Sequence, residues 1–211
     1  MNIVLVGAGR AEPLPFLRQK LENADKTIAV DGGLQAFAAL ELCPDLIVGD
    51  FDSVTLSVVK KFPHAEQLSL PVHKDQSDME VAVEQALSHQ PQKIEILQAF
   101  GKRMDHFFAN CYLTFLRPGR IFLESPKETF FALEEKRINH LKNKIDTIVS
   151  LLPFTAEVQK VTTHDLAYPL VNETLHQNSR PLSNVVCGER PSVEFSAGKL
   201  AAYILYNMHF T

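Results

Sequence analysis

The stretch Pro44-Asp45-Leu46-Ile47-Val48-Gly49-Asp50-Phe51-Asp52-Ser53 decides how the rest of the chain is read. Asp45 to Val48 predicts a short strand ending in an apolar run, and Gly49 lets the backbone turn. Two carboxylates follow at i and i+2. If the chain stays extended past Gly49, Asp50 and Asp52 point to the same side. The carboxyl end of a buried strand is where open α/β sheets bind ligands. Hard carboxylate oxygens suit Mg²⁺, which takes one or two carboxylates together with substrate phosphates. A lone D-x-D is more often a plain acidic turn, so the other acidic motifs must decide between the two readings.

Working outward, strands and helices alternate on both sides of this stretch. Asn2 to Val6 is a continuous apolar run, the pattern of a strand buried on both faces. Gly7-Ala8-Gly9-Arg10 follows as a turn; the fuller dinucleotide fingerprint would need a further glycine where Glu12 stands. Residues 13–23 carry a helical pattern. Thr27 to Val30 predicts a second strand that ends at Asp31-Gly32-Gly33, and 34–42 and 55–62 predict helices. Glu66 to Leu70 predicts a fourth strand. In His73-Lys74-Asp75-Gln76-Ser77-Asp78-Met79-Glu80, Ser77 is placed to cap a helix with Glu80 completing a capping box. By that reading Asp75 and Asp78 need be no more than acids favoured at a helix N-terminus. Lys93 to Leu97 predicts a fifth strand. Phe100-Gly101-Lys102-Arg103-Met104-Asp105-His106 leads into a helix over 107–116 that carries Asn110, and Arg120 to Leu123 predicts a sixth strand.

This alternation predicts an α/β domain over 1–125 with a mostly parallel, Rossmann-like sheet covered on both faces. The charged motifs at Asp31, Asp50, Asp75 and Arg103 all follow strands. In a parallel sheet those strand ends share one edge, so residues distant in sequence would meet there. Beyond about Ser125 the helical period fades. Strand-like runs at 128–133, 147–152, 157–163, 192–196 and 200–206, punctuated by Pro, Gly and Asn, predict an all-β sandwich or barrel-like domain over 126–211.

Composition narrows the function classes. The 211 residues are 45% hydrophobic and 22% charged, ordinary for a protein that buries a core. A net charge of -4 gives no general reason to bind nucleic acid or an anionic membrane. Cys43, Cys111 and Cys187 are scattered and contain no C-x-x-C pair, which argues against a thiolate zinc site and for reduced thiols in the cytoplasm. No secretory leader and no bilayer-spanning run is expected.

In this order and spacing, Asp31-Gly32-Gly33, the 44–53 stretch, Lys74-Asp75-Gln76-Ser77-Asp78, and Arg103-Met104-Asp105-His106 with Asn110 resemble the thiamin pyrophosphokinase family. Leu166-Ala167-Tyr168-Pro169-Leu170 and Ser183-Asn184 add fainter echoes in the second domain. The resemblance implies Mg²⁺-dependent transfer of a pyrophosphoryl group from ATP to the hydroxyl of thiamine, giving thiamine diphosphate and AMP. It implies a homodimer with sites between subunits. It places Asp50, Asp52, Asp75 and Asp78 around the metal and the ATP phosphates, with catalytic parts for Arg103 and Asp105. Asp31, Gly32, Gly33, Ser53, Lys74, Ser77, Arg103, His106 and Asn110 would form the nucleotide pocket. Tyr168, Ser183 and Asn184, from the partner subunit, would hold thiamine.

The chain departs from the family pattern in several places. Gln98 and Lys102 stand where glycines are expected, Ser77 replaces a usual Thr, Asp165 replaces a Gly, and Val185 follows Ser183-Asn184 where an acid is common. Most of these changes fall on the acceptor side. A pyrophosphokinase with another alcohol acceptor, a nucleotide- or thiamine-binding regulatory protein without turnover, and a Mg²⁺ phosphohydrolase are the alternatives.

Overall fold

A computed structural model of the chain describes residues 1–50, 56–71, 75–141, 144–178 and 180–206, with backbone only at 56 and 57. Asp52, Ser53 and Lys74 lie outside the described residues. The chain divides into two compact units, Met1–Leu113 with Arg120–Ser125, and Thr114–Gly119 with Pro126–Thr211.

The first unit is an α/β layer structure. Its strands are β1 (Asn2–Val6), β2 (Lys26–Val30), β3 (Leu46–Gly49), β4 (Glu66–Ser69), β5 (Lys93–Leu97) and β6 (Ile121–Glu124). They pair in parallel in the order β6-β5-β1-β2-β3-β4. The helices are α1 (Leu14–Glu22), α2 (Leu34–Leu40), α3 (Leu56–Val59), α4 (Asp78–Ser88) and α5 (Met104–Thr114). The chain moves outward from β1 to β4, then returns to the other side of β1 as β5. That reversal lies between β1 and β5, and ligands of open α/β sheets bind above such a switch point.

Local chemistry explains these elements. The last four residues of β1 are all buried, as are all four of β3, so each strand needs cover on both faces. On one face Val4, Val6, Ala29 and Ile47 pack with Leu17, Leu21, Leu34 and Phe37 of α1 and α2. Helix α4 packs on β1, β2 and β3, and turns Ala82, Val83 and Ala86 inward. Ser77 caps it, its Oγ accepting the Glu80 amide at 3.2 Å. Asp45, at the head of the deciding stretch, ties β3 to β2 by accepting from the Thr27 amide at 2.7 Å and the Thr27 hydroxyl at 3.0 Å.

Strand β5 carries a buried carboxylate. Glu95 is 3% exposed. Lys20 Nζ at 2.6 Å, Lys93 Nζ at 2.9 Å and Asn2 Nδ2 at 2.8 Å surround it, and Lys20 also pairs with Glu124. Burial alone would raise the Glu95 carboxyl. Hydrogen bonds from Glu124, Lys20, Lys93 and Asn2 outweigh that and hold it below the usual range. Burial, then the bond shared with Glu95, raises the Glu124 carboxyl instead.

The second unit is a β-sandwich. Its strands are β7 (Glu128–Ala132), β8 (Asn139–His140), β9 (Ile148–Pro153), β10 (Glu157–His164), β11 (Glu173–His176), β12 (Asn184–Val185), β13 (Ser192–Glu194) and β14 (Leu200–Leu205). Within this unit β12-β9-β14-β7 pair antiparallel, and β11-β10-β13-β8 form the other antiparallel sheet. Val149, Leu151, Leu200 and Ala202 of the first face Val158, Val161, Leu175 and Val193 of the second across a common core. The α/β-then-all-β order matches the sequence expectation. Strands β8, β11 and β12, of two, four and two residues, carry too little periodicity to be read from sequence.

Candidate active site

The loops leaving the carboxyl ends of β1, β2, β3 and β5, with the start of α4, enclose a cavity of about 690 Å³. Asp31, Asp50, Ser77, Asp78, Arg103, Asp105, His106 and Asn110 line it. Parallel pairing sets Asp31 and Asp50, which directly follow β2 and β3, on one edge, and the starts of α4 and α5 bring the others to the same cavity.

Its floor is a backbone seam. Gly7 N donates to Leu97 O at 3.0 Å, Gly9 N to Gln98 O at 2.9 Å, and Arg10 N to Phe100 O at 2.8 Å. A Cβ on Gly9 would lie 2.0 Å from Gln98 O. The Gly7-Ala8-Gly9 turn therefore serves close loop packing, and its glycine amides are spent on carbonyls. Gly33 acts in the same way: a Cβ there would meet Val6 O at 1.9 Å. Gly32 faces a neighbouring cavity of about 380 Å³ between α1 and α2.

The acidic wall is Asp31, Asp50 and Asp78. All three are half-buried, and one carboxylate oxygen from each lies within 4.8 Å of the others. One oxygen each of Asp31 and Asp78 is shut off from solvent. Asp31 opens a 3-10 turn with φ 49, a left-handed conformation that Asp tolerates better than most residues. Gly49 makes room beneath it, since a Cβ there would approach Asp31 Oδ1 to 2.5 Å. Three hard oxygen donors gathered this closely could hold a divalent cation.

The expected metal set was Asp50, Asp52, Asp75 and Asp78. Asp50 and Asp78 converge, and Asp52 lies outside the described residues. Asp75 is exposed and is not among the described residues that line the cavity. Asp31, read from sequence as a nucleotide contact, sits with the acids. The signal for this was present: like Asp50, Asp31 directly follows a buried apolar strand.

The start of α5 lines the same cavity. Arg103 grips Asp105 through Nε at 3.2 Å and Nη2 at 2.5 Å, both side chains being exposed. That hydrogen bond holds the Asp105 carboxyl at about 2, and raises the Arg103 guanidinium above its ordinary value. A carboxyl so low is a poor proton acceptor. His106 is exposed rather than packed in a core. Asn110 is buried and donates to Ala99 O at 3.5 Å. Gln98 and Lys102 also line the cavity, and sequence reading had marked them only as missing glycines.

In the second unit Asn184 is buried, and its amide is occupied within the chain. Its Oδ1 accepts from the Tyr168 amide at 2.9 Å and the Val185 amide at 2.9 Å, while Nδ2 donates to Tyr168 O at 2.7 Å. Tyr168 is left 70% exposed. Ser183 is exposed and adopts φ 56, its amide donating to Ser150 Oγ at 3.0 Å. At Asp165, the residue in place of glycine keeps φ 57, and its carboxylate accepts from the Arg190 amide at 2.8 Å.

The fold and cavity define a class: an α/β unit with a carboxylate-lined cleft at its strand ends, followed by a β-sandwich. Residues 17–121 match the family model described as "Thiamin pyrophosphokinase, catalytic domain", and 135–200 match "Thiamin pyrophosphokinase, vitamin B1 binding domain". The chain belongs to the thiamin pyrophosphokinase family. It is 28% identical to a thiamine pyrophosphokinase of Bacillus subtilis over 208 residues, covering 94% of this chain and 96% of the relative. The fold is shared with the crystal structure of a thiamin pyrophosphokinase from Geobacillus thermodenitrificans, at TM-score 0.86 and 24% identity over 100% of both chains. Yeast thiamin pyrophosphokinase gives TM-score 0.82 at 13% identity, over 97% of this chain and 86% of that one.

Proposed function

We propose that this chain is an ATP-dependent diphosphotransferase that moves the pyrophosphoryl group of ATP onto the hydroxyl of thiamine, yielding thiamine diphosphate and AMP. The observation that carries the reading is the convergence of Asp31, Asp50 and Asp78 in one cavity with Arg103. A carboxylate wall repels a polyphosphate unless a cation stands between them. Asp31, Asp50 and Asp78 would hold Mg²⁺, which when bound offsets charge on the transferring group. Asp52, Asp75, Ser53 and Lys74 remain proposed contributors from the family resemblance.

The chain's own residues then have these parts. Arg103, fixed by Asp105, faces the phosphates as an oriented cation. Ser77, His106 and Asn110 complete the nucleotide pocket, and Gly33 sets the height of the Asp31 turn. The acceptor oxygen forms a bond to the β-phosphorus while the bond from that phosphorus to the α-phosphate oxygen breaks. The hydroxyl proton passes to a carboxylate, and Asp105 is poorly suited to that role because Arg103 suppresses its affinity for protons. In the β-sandwich Asn184 positions the Tyr168 segment, and the exposed Tyr168 ring with Ser183 forms the thiamine contact.

We read the working unit as a homodimer in the cytoplasm. Met104, Phe108 and Tyr112 recur at four-residue spacing on α5 and are 59%, 53% and 64% exposed, an apolar stripe that a second copy would cover. None of the three cysteines forms a disulfide among the described residues, and among those residues no helix is long and apolar enough to cross a membrane.

The experiment is incubation with Mg²⁺, ATP and thiamine, with AMP and thiamine diphosphate as the expected products. ADP in place of AMP, or turnover that ignores the acceptor, refutes the reading. Turnover with another alcohol but not thiamine would keep the chemistry and change the acceptor.

A further inference from the structure

The loop between β5 and α5 passes through left-handed backbone at three positions: Gln98 at φ 52, Gly101 at φ 78 and Lys102 at φ 51. Glycine takes this region freely. Lysine has no local side-chain bond to compensate for it, as Asn and Asp do. Strain of this kind persists where the surroundings enforce it, and it gathers at functional sites. Lys102 borders both the 690 Å³ cavity and its 380 Å³ neighbour. Its Nζ rests 3.4 Å from the Ala8 carbonyl oxygen on the cavity floor. Among the described residues no carboxylate pairs with it, whereas the neighbouring cation Arg103 is already bound to Asp105. An exposed ammonium held over a cavity by a long, weak bond to a neutral acceptor is available to a stronger anionic partner.

We propose that Lys102 is a binding residue for the nucleotide's polyphosphate. Its ammonium exchanges the Ala8 carbonyl for a phosphate oxygen, and the left-handed backbone is retained for the sake of that side chain. This rests on the reading that the cavity takes a nucleoside triphosphate.

The test compares wild type with Lys102→Gly, Lys102→Gln and Lys102→Arg. Calorimetry measures affinity for an ATP analogue with a methylene bridge between the α- and β-phosphorus, in Mg²⁺, at low and high salt. Thermal melts are run without nucleotide. Lys102→Gly should melt higher than wild type, because glycine relaxes the turn, and yet bind the analogue roughly tenfold more weakly. Lys102→Gln should bind equally weakly and Lys102→Arg close to wild type, and the deficit should shrink at high salt. Opposite movements of melting temperature and affinity separate a ligand role from a packing role. A Lys102→Gly variant that binds as wild type does, one that loses melting temperature together with affinity, or a Lys102→Arg variant as weak as Lys102→Gly overturns this inference alone. A wild-type protein that fails to bind the analogue overturns the nucleotide reading as well.

Discussion

Asp50→Asn keeps the shape of the side chain and removes one of three clustered charges, so its effect should change sign with magnesium. The three oxygens lie within 4.8 Å of one another. At that distance and an effective dielectric near 20, two unit charges repel by about 3.5 kcal/mol, so the two pairs that include Asp50 amount to about 7 kcal/mol gross. The carboxylates are half-buried, and water screens most of this. If about a quarter survives, roughly 1.5–2 kcal/mol of repulsion is relieved in the metal-free protein. A chain of this size shifts its melting temperature by roughly 2–4 °C per kcal/mol, which predicts a rise of about 3–8 °C in chelator. In excess Mg²⁺ the order should reverse. A ligand at a hundred times its Kd adds about 2.7 kcal/mol to the folded state, and the variant, with a weaker site, collects less of it. Calorimetric melts in chelator and in millimolar Mg²⁺ give both numbers. A variant that is less stable than wild type in chelator, or one with an undiminished magnesium shift, would refute the convergent-acid argument.

Three further outcomes are expected. Asn184→Ala should destabilise the chain by about 2 kcal/mol in denaturant titration, because the Tyr168 amide and carbonyl lose their partner; a change under about 0.5 kcal/mol would remove Asn184 from its positioning role. Native thiol titration should modify Cys43 and Cys187, which are exposed, and spare Cys111, which is buried and whose thiol burial pushes up to about 12; rapid labelling of all three without denaturant counts against the placement of α5. An NMR titration should find the Asp105 carboxyl midpoint near 2, so the stabilisation from its bond to Arg103 is complete above the ordinary 3.8 and fades as pH falls through about 2. Arg103→Gln should return that midpoint toward 3.8, and a wild-type midpoint already near 3.8 would discard the pair.

The fold was largely legible because β1, β2 and β3 are short and mostly apolar, and Ser77 announces α4 by its capping chemistry. Asp50, Asp78 and Arg103 were legible for a geometric reason: each follows a strand, and parallel strands share an edge. Asp31 is read from sequence as a nucleotide contact, and its place after a buried strand is legible; its closeness to Asp50 and Asp78 depends on a left-handed turn over Gly49 that composition does not mark. Asn184 was expected to touch a ligand. That its amide is spent on Tyr168 depends on a contact sixteen residues away, which no local pattern encodes. Gln98 and Lys102 looked like losses of glycine, yet the backbone keeps glycine's dihedral angles at both positions.

The seam between the first and fifth strands is stitched chiefly by main-chain groups, from Gly7 to Leu97, Gly9 to Gln98 and Arg10 to Phe100, with Glu12 Oε1 and Lys102 Nζ adding a side-chain bond each, to the Gln98 amide and the Ala8 carbonyl. The main-chain bonds do not depend on the side chains at 98 and 102, so changing those leaves the main joint in place. Positions 98 and 102 thus form a writable rim on a fixed frame, where an engineer could retune charge and shape toward another triphosphate without rebuilding the domain beneath.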